Sequence, residues 1–189
     1  MPALTPDNRV KLIDALGDAQ RIGMLGDRPL DEVVEHSLGF VAALPPQCLT
    51  LVDLGSGGGD PGLVIAMACP NLQITLVDRR AKRTDLLVRL VGRLGIRDRV
   101  EVLEADVEDL PGRFPGRHWD VVTSRGFGPP DYTARLGSPL LVPGGHMLVS
   151  EPPDSNGSRW ASVPDLELQG IVAGVSVLIR RRECSTWNI

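Results

Sequence analysis

Apolar residues fall into five short runs between positions 49 and 150: LTLVD (49–53), QITLVD (73–78), VEVLEAD (100–106), WDVVTS (119–124) and HMLVS (146–150). Segments of helical or loop character separate them. Near-continuous apolar runs of this length, alternating with helices, predict parallel strands covered on both faces, with a ligand crevice at their carboxyl ends. Between the second and third runs, Leu86, Leu87, Leu90, Val91 and Leu94 recur at helical spacing and Gly95 ends the pattern. Pro129–Leu141 reads as a further helix, followed by a turn at Pro143-Gly144-Gly145. Residues 1–44 suggest two amphipathic helices split by GMLGDRP, an appendage that either covers the functional site or simply packs. After Ser150, EPPDSNGS is a loop by composition, and LELQGIVAG and VSVLIRR, punctuated by Gly170 and Gly174, predict a C-terminal hairpin.

One stretch carries chemistry. LVDLGSGGGDPG (51–62) runs a strand through Asp53 into glycines at 55, 57 and 59, with a helix opening near Pro61, and the next strand ends on Asp78. Glycines there allow a tight turn and bring a ligand against main-chain N–H groups. An acidic residue ending the following strand can accept both hydroxyls of a ribose. Together they predict a pocket for an adenosine-containing cofactor. A dinucleotide motif, G-x-G-x-x-G, read from Gly55 would end on Asp60, whose carboxylate would repel a pyrophosphate. The spacing acidic-x-G-x-G-x-G, met by Asp53, Gly55, Gly57 and Gly59, is similar to the first motif of S-adenosylmethionine (SAM) methyltransferases. The bland alternative is a glycine-rich turn without a ligand. Asp106, ending the third run, is either an acceptor for the adenine amino group or a helix cap.

Composition narrows the class without deciding it. The 189 residues suffice for one domain with its own core, and 42% hydrophobic content without a long apolar run argues against a membrane span. The opening MPALTPDNRV has no apolar signal core, which leads to the expectation of a cytoplasmic protein without membrane association; separately, a monomer is expected over an oligomer. Cys48, Cys69 and Cys184 are scattered and suggest neither disulfides nor a metal site. Asn156-Gly157-Ser158 matches a glycosylation sequon by chance. A net charge of −4 does not announce a nucleic-acid binder, yet basic residues cluster. Arg79, Arg80, Lys82 and Arg83 follow the second strand, Arg89, Arg93, Arg97 and Arg99 continue along the next helix, and Arg180, Arg181 and Arg182 lie near the end. They form either solvated faces or a phosphate-facing patch.

From Asp31 to Glu151 the chain resembles one family, the bacterial RsmG (glucose-inhibited division protein B) methyltransferases, which methylate guanine N7 in small-subunit ribosomal RNA. The resemblance rests on EHSL (35–38), LVDLGSGGGDPG, TLVDRRAKR (75–83), ADVEDL (105–110), DVVTSRGFGP (120–129) and LLVPGG (140–145). It implies a doubly wound, Rossmann-like α/β fold: a seven-stranded, mostly parallel sheet with helices on both faces and an antiparallel C-terminal hairpin. One domain, 1–189, would comprise a helical extension (1–44), a SAM-binding core (45–151) and a loop with the hairpin (152–189). It implies SAM as cofactor, with Gly55 and Asp60 at its methionine end, Asp78 on the ribose and Val107 and Glu108 beside the adenine. Arg125 would stand where cofactor meets substrate, anchoring a phosphate or stacking on a flipped base, unless it forms an ion pair with Asp120 or Asp131. His36, His118, Trp119 and His146 read as packing, turn or surface residues. Guanine N7 has a free lone pair, so no catalytic base is required; positioning alone can contribute about 7–11 kcal/mol.

Three departures stand out. Asp60 replaces a bulky apolar residue before the PG, the W-N-x-x-x-N-L-T stretch is replaced by AQRIGMLGDRP, and Glu151-Pro152 replaces a Lys-Gly pair. The last reverses a charge beside the expected substrate entrance, which would weaken RNA affinity and its salt dependence. Two other readings therefore stand beside ribosomal RNA methylation: a SAM-dependent enzyme acting on a small molecule, and a SAM-binding module without catalysis.

Overall fold

The structure is a computed structural model that describes residues 4–181. Cys184 and Arg182 lie outside the described residues. Helices α1 (Pro6–Arg21) and α2 (Leu30–Ala43) precede the sheet. There follow β1 (Thr50–Leu54), α3 (Gly62–Ala68), β2 (Gln73–Asp78), α4 (Ala81–Leu94), β3 (Val100–Glu104), α5 (Leu110–Arg113), β4 (Trp119–Ser124), α6 (Pro130–Gly137), β5 (Leu141–Ser150), β6 (Leu166–Val172) and β7 (Val175–Arg180). The seven strands lie in the order β3-β2-β1-β4-β5-β7-β6, with β1 to β5 parallel and β7 antiparallel to both its neighbours. Sheet order reverses between β1 and β4, which places a crevice at their carboxyl ends.

Alternation along the strands divides the core into two layers. Leu51, Ile74, Leu76, Val121 and Leu148 face α1 to α4, while Val52, Leu54, Val77, Val122 and Met147 face Leu110, Ala134, Leu136 and Trp160 on the other side. Local signals set the helix ends. Thr5 caps α1 by accepting from Asn8 N at 3.2 Å, and Gly95, at φ 70°, closes α4 in the left-handed conformation that glycine adopts without strain.

The structure departs from the expected elements in three places. The helix expected over Pro129–Leu141 ends at Gly137, because Pro139 has no N–H to continue it, and Ser138–Leu140 form one 3₁₀ turn. The Pro143-Gly144-Gly145 turn is not a boundary: it lies inside β5, where Leu141 pairs with Trp119 and His146 with Val121, so Val142–Gly145 bulge opposite Asp120. The third strand stops at Glu104, and Asp106 caps a 3₁₀ turn over Val107–Asp109 by accepting from Glu108 N at 3.1 Å.

The N-terminal helices are part of the crevice wall. A Cβ on Gly58 would lie 2.8 Å from the carbonyl oxygen of Met24, so the link between α1 and α2 rests on the glycine loop. Further along, α2 presses on the hairpin turn, where a Cβ on Gly39 would lie 2.5 Å from the Ala173 carbonyl oxygen. Among the described residues no helix is long and apolar enough to cross a membrane.

Candidate active site

Two cavities open at the carboxyl ends of the strands, one on each side of the segment after β4. The first, of about 330 Å³, is lined by Gly55, Val77, Asp78, Arg79, Arg80, Arg83, Ala105, Asp106, Val107, Gly126, Phe127 and Tyr132. Its glycine loop is held to β2 by a short network. Ser56 N donates to the Val77 carbonyl at 2.9 Å, Val77 N donates to Ser56 Oγ at 3.1 Å, and Ser56 Oγ donates to the Asp53 carbonyl at 2.9 Å. Asp78, only 4% exposed, finishes the work: its carboxylate accepts from Gly57 N at 3.0 Å, Arg80 N at 3.0 Å and Arg83 Nη1 at 3.3 Å. Gly57 (φ 54°) bends the loop so that its N–H reaches that carboxylate, a backbone conformation that an L side chain would strain.

Asp53 lies beneath this cavity rather than in it. Its Oδ1 accepts from Thr123 Oγ1 at 2.8 Å across the β1–β4 pair. Its Oδ2 is buried under the start of α3, where a Cβ on Gly62 would come within 2.8 Å of it. Burial pushes the Asp53 carboxyl up to about 6, against the opposing effect of the Thr123 hydrogen bond. Asp53 thus ties the two strands that flank the crevice and receives α3.

The second cavity, of about 370 Å³, is lined by Arg28, His36, Arg125, Ser150, Glu151, Pro152, Pro153, Asp154, Ser155, Ile171 and Gly174. Arg125 leaves the end of β4 and forms an ion pair with Asp60, whose side chain is 2% exposed. The partner is neither Asp120 nor Asp131. Asp120 is engaged elsewhere, accepting from Leu49 N and Thr50 N, both at 2.9 Å. Ser37 Oγ lies within hydrogen-bonding reach of both Asp60 and the Val33 carbonyl, which fastens α2 to the glycine loop. A second fastening joins His36 Nε2 to Ser150 Oγ at 3.2 Å. Burial lowers the His36 imidazole below its usual value, and the charge of Arg28 pushes the same way.

The structure corrects the expectation for Glu151. Its side chain is 1% exposed and turns inward, accepting from Ser155 Oγ at 2.6 Å, Ser176 Oγ at 2.7 Å and Trp160 Nε1, with Arg159 Nε at 3.2 Å. Burial alone would raise the carboxyl, but these hydrogen bonds and the Arg159 charge hold it below its usual value. A carboxylate so enclosed presents little free charge at the entrance, so the expected repulsion of RNA by a surface charge does not follow. It braces the loop after β5 against the hairpin.

Gly55, Asp78, Asp106 and Val107 therefore share the first cavity, Arg125 lines the second, and buried Asp53 and the enclosed side chain of Asp60 line neither. Gly57 reaches the site through its N–H, while Gly59, at φ 103°, packs against Leu63 of α3. Glu108 is outside the lining, paired with Arg135 at 2.9 Å on the surface. Phe127 and Tyr132 emerge only with the fold. Their rings stack at 5.6 Å, and a Cβ on Gly55 would come within 2.9 Å of the Phe127 ring. The glycine at 55 was a legible sign that something packs closely there, but not what. Arg83 belonged to a basic cluster with no single member marked, and Ser37 and Thr123 carry no signal of their own.

The sequence model of a family described as GidB, rRNA small subunit methyltransferase G, matches residues 10–152. The chain belongs to this family. The methyltransferase G protein of Nocardioides sp. is 41% identical over 136 residues, which cover 70% of this chain and 53% of that protein. The methyltransferase G of Ralstonia nicotianae is 32% identical over 184 residues, covering 88% of this chain and 76% of that protein. The chain spans about half the length of several of the relatives it matches, the Nocardioides and Salinispora tropica proteins among them. Solved structures resemble it in fold. Cofactor-bound Rv0187 from MTB superposes with a TM-score of 0.68 at 16% identity, covering 92% of this chain and 90% of that one. An O-methyltransferase from Bacillus cereus in complex with SAH gives 0.63 at 14% identity, covering 91% of each chain. The family match spans both cavities of the crevice except the lining contributed by residues beyond 152.

Proposed function

We propose that the chain is a SAM-dependent methyltransferase that methylates N7 of a guanine in small-subunit ribosomal RNA. The observation that carries the reading is the pair of adjoining cavities at the β1–β4 reversal, the first built by the glycine loop with Asp78, in a member of the methyltransferase G family. The first cavity fits an adenosine. It combines apolar side chains of Val77, Ala105, Val107, Phe127 and Tyr132 with the carboxylates of Asp78 and Asp106 and three arginines, Arg79, Arg80 and Arg83, and its size lies in the ordinary range of small-molecule sites. Asp78 would take the ribose hydroxyls, exchanging its contact with the flexible Arg83 side chain while keeping Gly57 N. Asp106 has a second oxygen beyond its cap, 3.8 Å from Arg79 Nη1, that the adenine amino group would share, and Val107 supplies an apolar surface for the purine. Gly55, whose missing side chain makes way for the Phe127 ring, would border the methionine end where it passes toward the second cavity.

When bound, SAM supplies a methyl group on a sulfonium, an electrophile that a neutral ring nitrogen can attack. The protein then needs no base. Transfer would exchange the S–CH₃ bond for N7–CH₃ and leave the positive charge on the guanine. The residues' contribution is to hold donor and acceptor in line and to exclude water. Arg125, His36 and Ser150 would face the acceptor. The reaction would occur in the cytoplasm with the chain acting as a monomer.

The test is transfer of labelled methyl from SAM to 16S ribosomal RNA and small subunits from a strain lacking the enzyme. Label at guanine N7 is expected from the wild type, with a loss on the order of 100-fold in Arg125→Ala. SAH binding without label on either acceptor would overturn the RNA assignment.

A further inference from the structure

Every charged group behind the second cavity already has its partner. Arg125 is paired with Asp60, and Glu151 with Arg159. His36 and Ser150 bond to each other, and the exposed rim carries Arg28 and Asp154, of opposite sign. The decisive member is Asp60. Its side chain is 2% exposed and fixed by Arg125 and Ser37. Without this carboxylate Arg125 would carry a free positive charge into the cavity. With Asp60 it carries N–H donors whose charge is spent.

We propose that Asp60 is a positioning and specificity residue for the acceptor: it fixes the direction of the Arg125 guanidinium and cancels its charge, so that Arg125 offers hydrogen bonds to an uncharged heterocycle and does not anchor a phosphate. This rests on the proposed methyl transfer and deepens it, since it assigns the second cavity to the base and moves phosphate contacts to the outer surface. The physical reason is geometric. A buried carboxylate bonded to the guanidinium repels an arriving anion through the same group that would attract it, whereas a neutral carbonyl or ring nitrogen meets no such penalty.

The experiment follows the Arg125 Nε–H resonance in the arginine-labelled 189-residue chain with SAH present, identified by its absence in Arg125→Lys, while inorganic phosphate is added. The wild type is expected to show no saturable shift at Arg125. Asp60→Asn, nearly the same shape without the charge, is expected to show one, with phosphate binding at least about tenfold tighter, the weight of one charge-assisted contact. A saturable phosphate response at Arg125 in the wild type overturns the proposal. So does an Asp60→Asn protein that binds SAH with wild-type affinity yet leaves Arg125 indifferent to phosphate. If Asp60→Asn fails to fold, the wild-type titration alone decides. A merely structural Asp60 would change stability without changing what Arg125 binds. Because no methyl transfer is read, failure of this proposal is distinct from failure of the RNA assignment.

Discussion

The two cavities at the end of the sheet are built by different means. The first is assembled from residues close in sequence to strand ends: the glycine loop after β1, Asp78 at the end of β2, Asp106 and Val107 just past β3. The second is assembled across long separations, with α2 bolted to the glycine loop by Ser37 and Asp60 and to β5 by His36 and Ser150, and the loop after β5 braced by Glu151. The first leaves Asp106 and Arg83 partly exposed around a buried Asp78, while behind the second the enclosed carboxylates of Asp60 and Glu151 are paired with Arg125 and Arg159. Loss of a residue should therefore cost ligand affinity in the first and folding stability in the second.

Glu151 offers the sharpest way to break that contrast. Replacing it with Ala leaves Ser155, Ser176 and Trp160 without their acceptor and Arg159 without its counter-charge. Removing one partner of a buried pair costs about 3–5 kcal/mol. Denaturant unfolding of Glu151→Ala is expected to show a loss in that range, with SAH affinity of the remaining folded protein within about threefold of wild type. A stability change near zero would mean that the loop stands without its brace.

The next effect is on pH dependence and belongs to Asp53. A carboxyl raised to about 6 in the folded chain, from the ordinary carboxylate value when unfolded, binds its proton more tightly when folded. Its contribution therefore favours folding at low pH and is lost as pH rises between about 4 and 6, by roughly 3 kcal/mol at full extent. The depressed carboxyls of Asp120 and Glu151 act in the opposite sense, being lost as pH falls. The measurement is consequently a difference: stability of Asp53→Asn minus that of wild type should rise across pH 4–6. A flat difference would show that Asp53 is ionised throughout.

These expectations also mark what the sequence could and could not reveal. Strand runs, the glycine loop, Asp78 and the helix ending at Gly95 were legible because each depends on residues within a few positions: strand periodicity, a turn that needs glycine, a carboxylate at a strand end. The ends of β5 and α6 were not, because the bulge at Val142–Gly145 exists only in register with β4. Charges misled where their meaning depended on a distant partner. Glu151 looked like a surface reversal until Ser176 and Trp160 enclosed it, and the ion-pair partners that sequence offered Arg125 were Asp120 and Asp131 until the fold brought Asp60 and α2 beside it. Asp106 stood between two readings, and the cap is the one the fold displays.

Within the first cavity, Asp78→Asn keeps the shape but weakens acceptance from Gly57 N, Arg80 N and a ribose. Charged hydrogen bonds are worth about 1.5–3 kcal/mol, so SAH affinity measured by calorimetry should fall roughly 10- to 100-fold. The loss of stability should be smaller than in Glu151→Ala, because the Arg83 side chain and solvent at the cavity mouth can rearrange around an amide. Equal losses of stability in the two variants would erase the distinction between the cavities.

The smallest expected effect comes from Glu108, which the family resemblance placed beside the adenine. Its side chain is 60% exposed and points to Arg135, itself 58% exposed, outside the cavity lining. An exposed pair of this kind contributes about 0–1 kcal/mol and less in salt. Glu108→Gln should leave stability within about 0.5 kcal/mol and SAH affinity within about twofold. Its backbone N–H, which the substitution keeps, is the part of the residue that Asp106 uses. A tenfold loss of SAH affinity would instead show that the side chain swings from Arg135 to the purine. The first cavity would then be shaped by its ligand, as the second is shaped by its buried pairs.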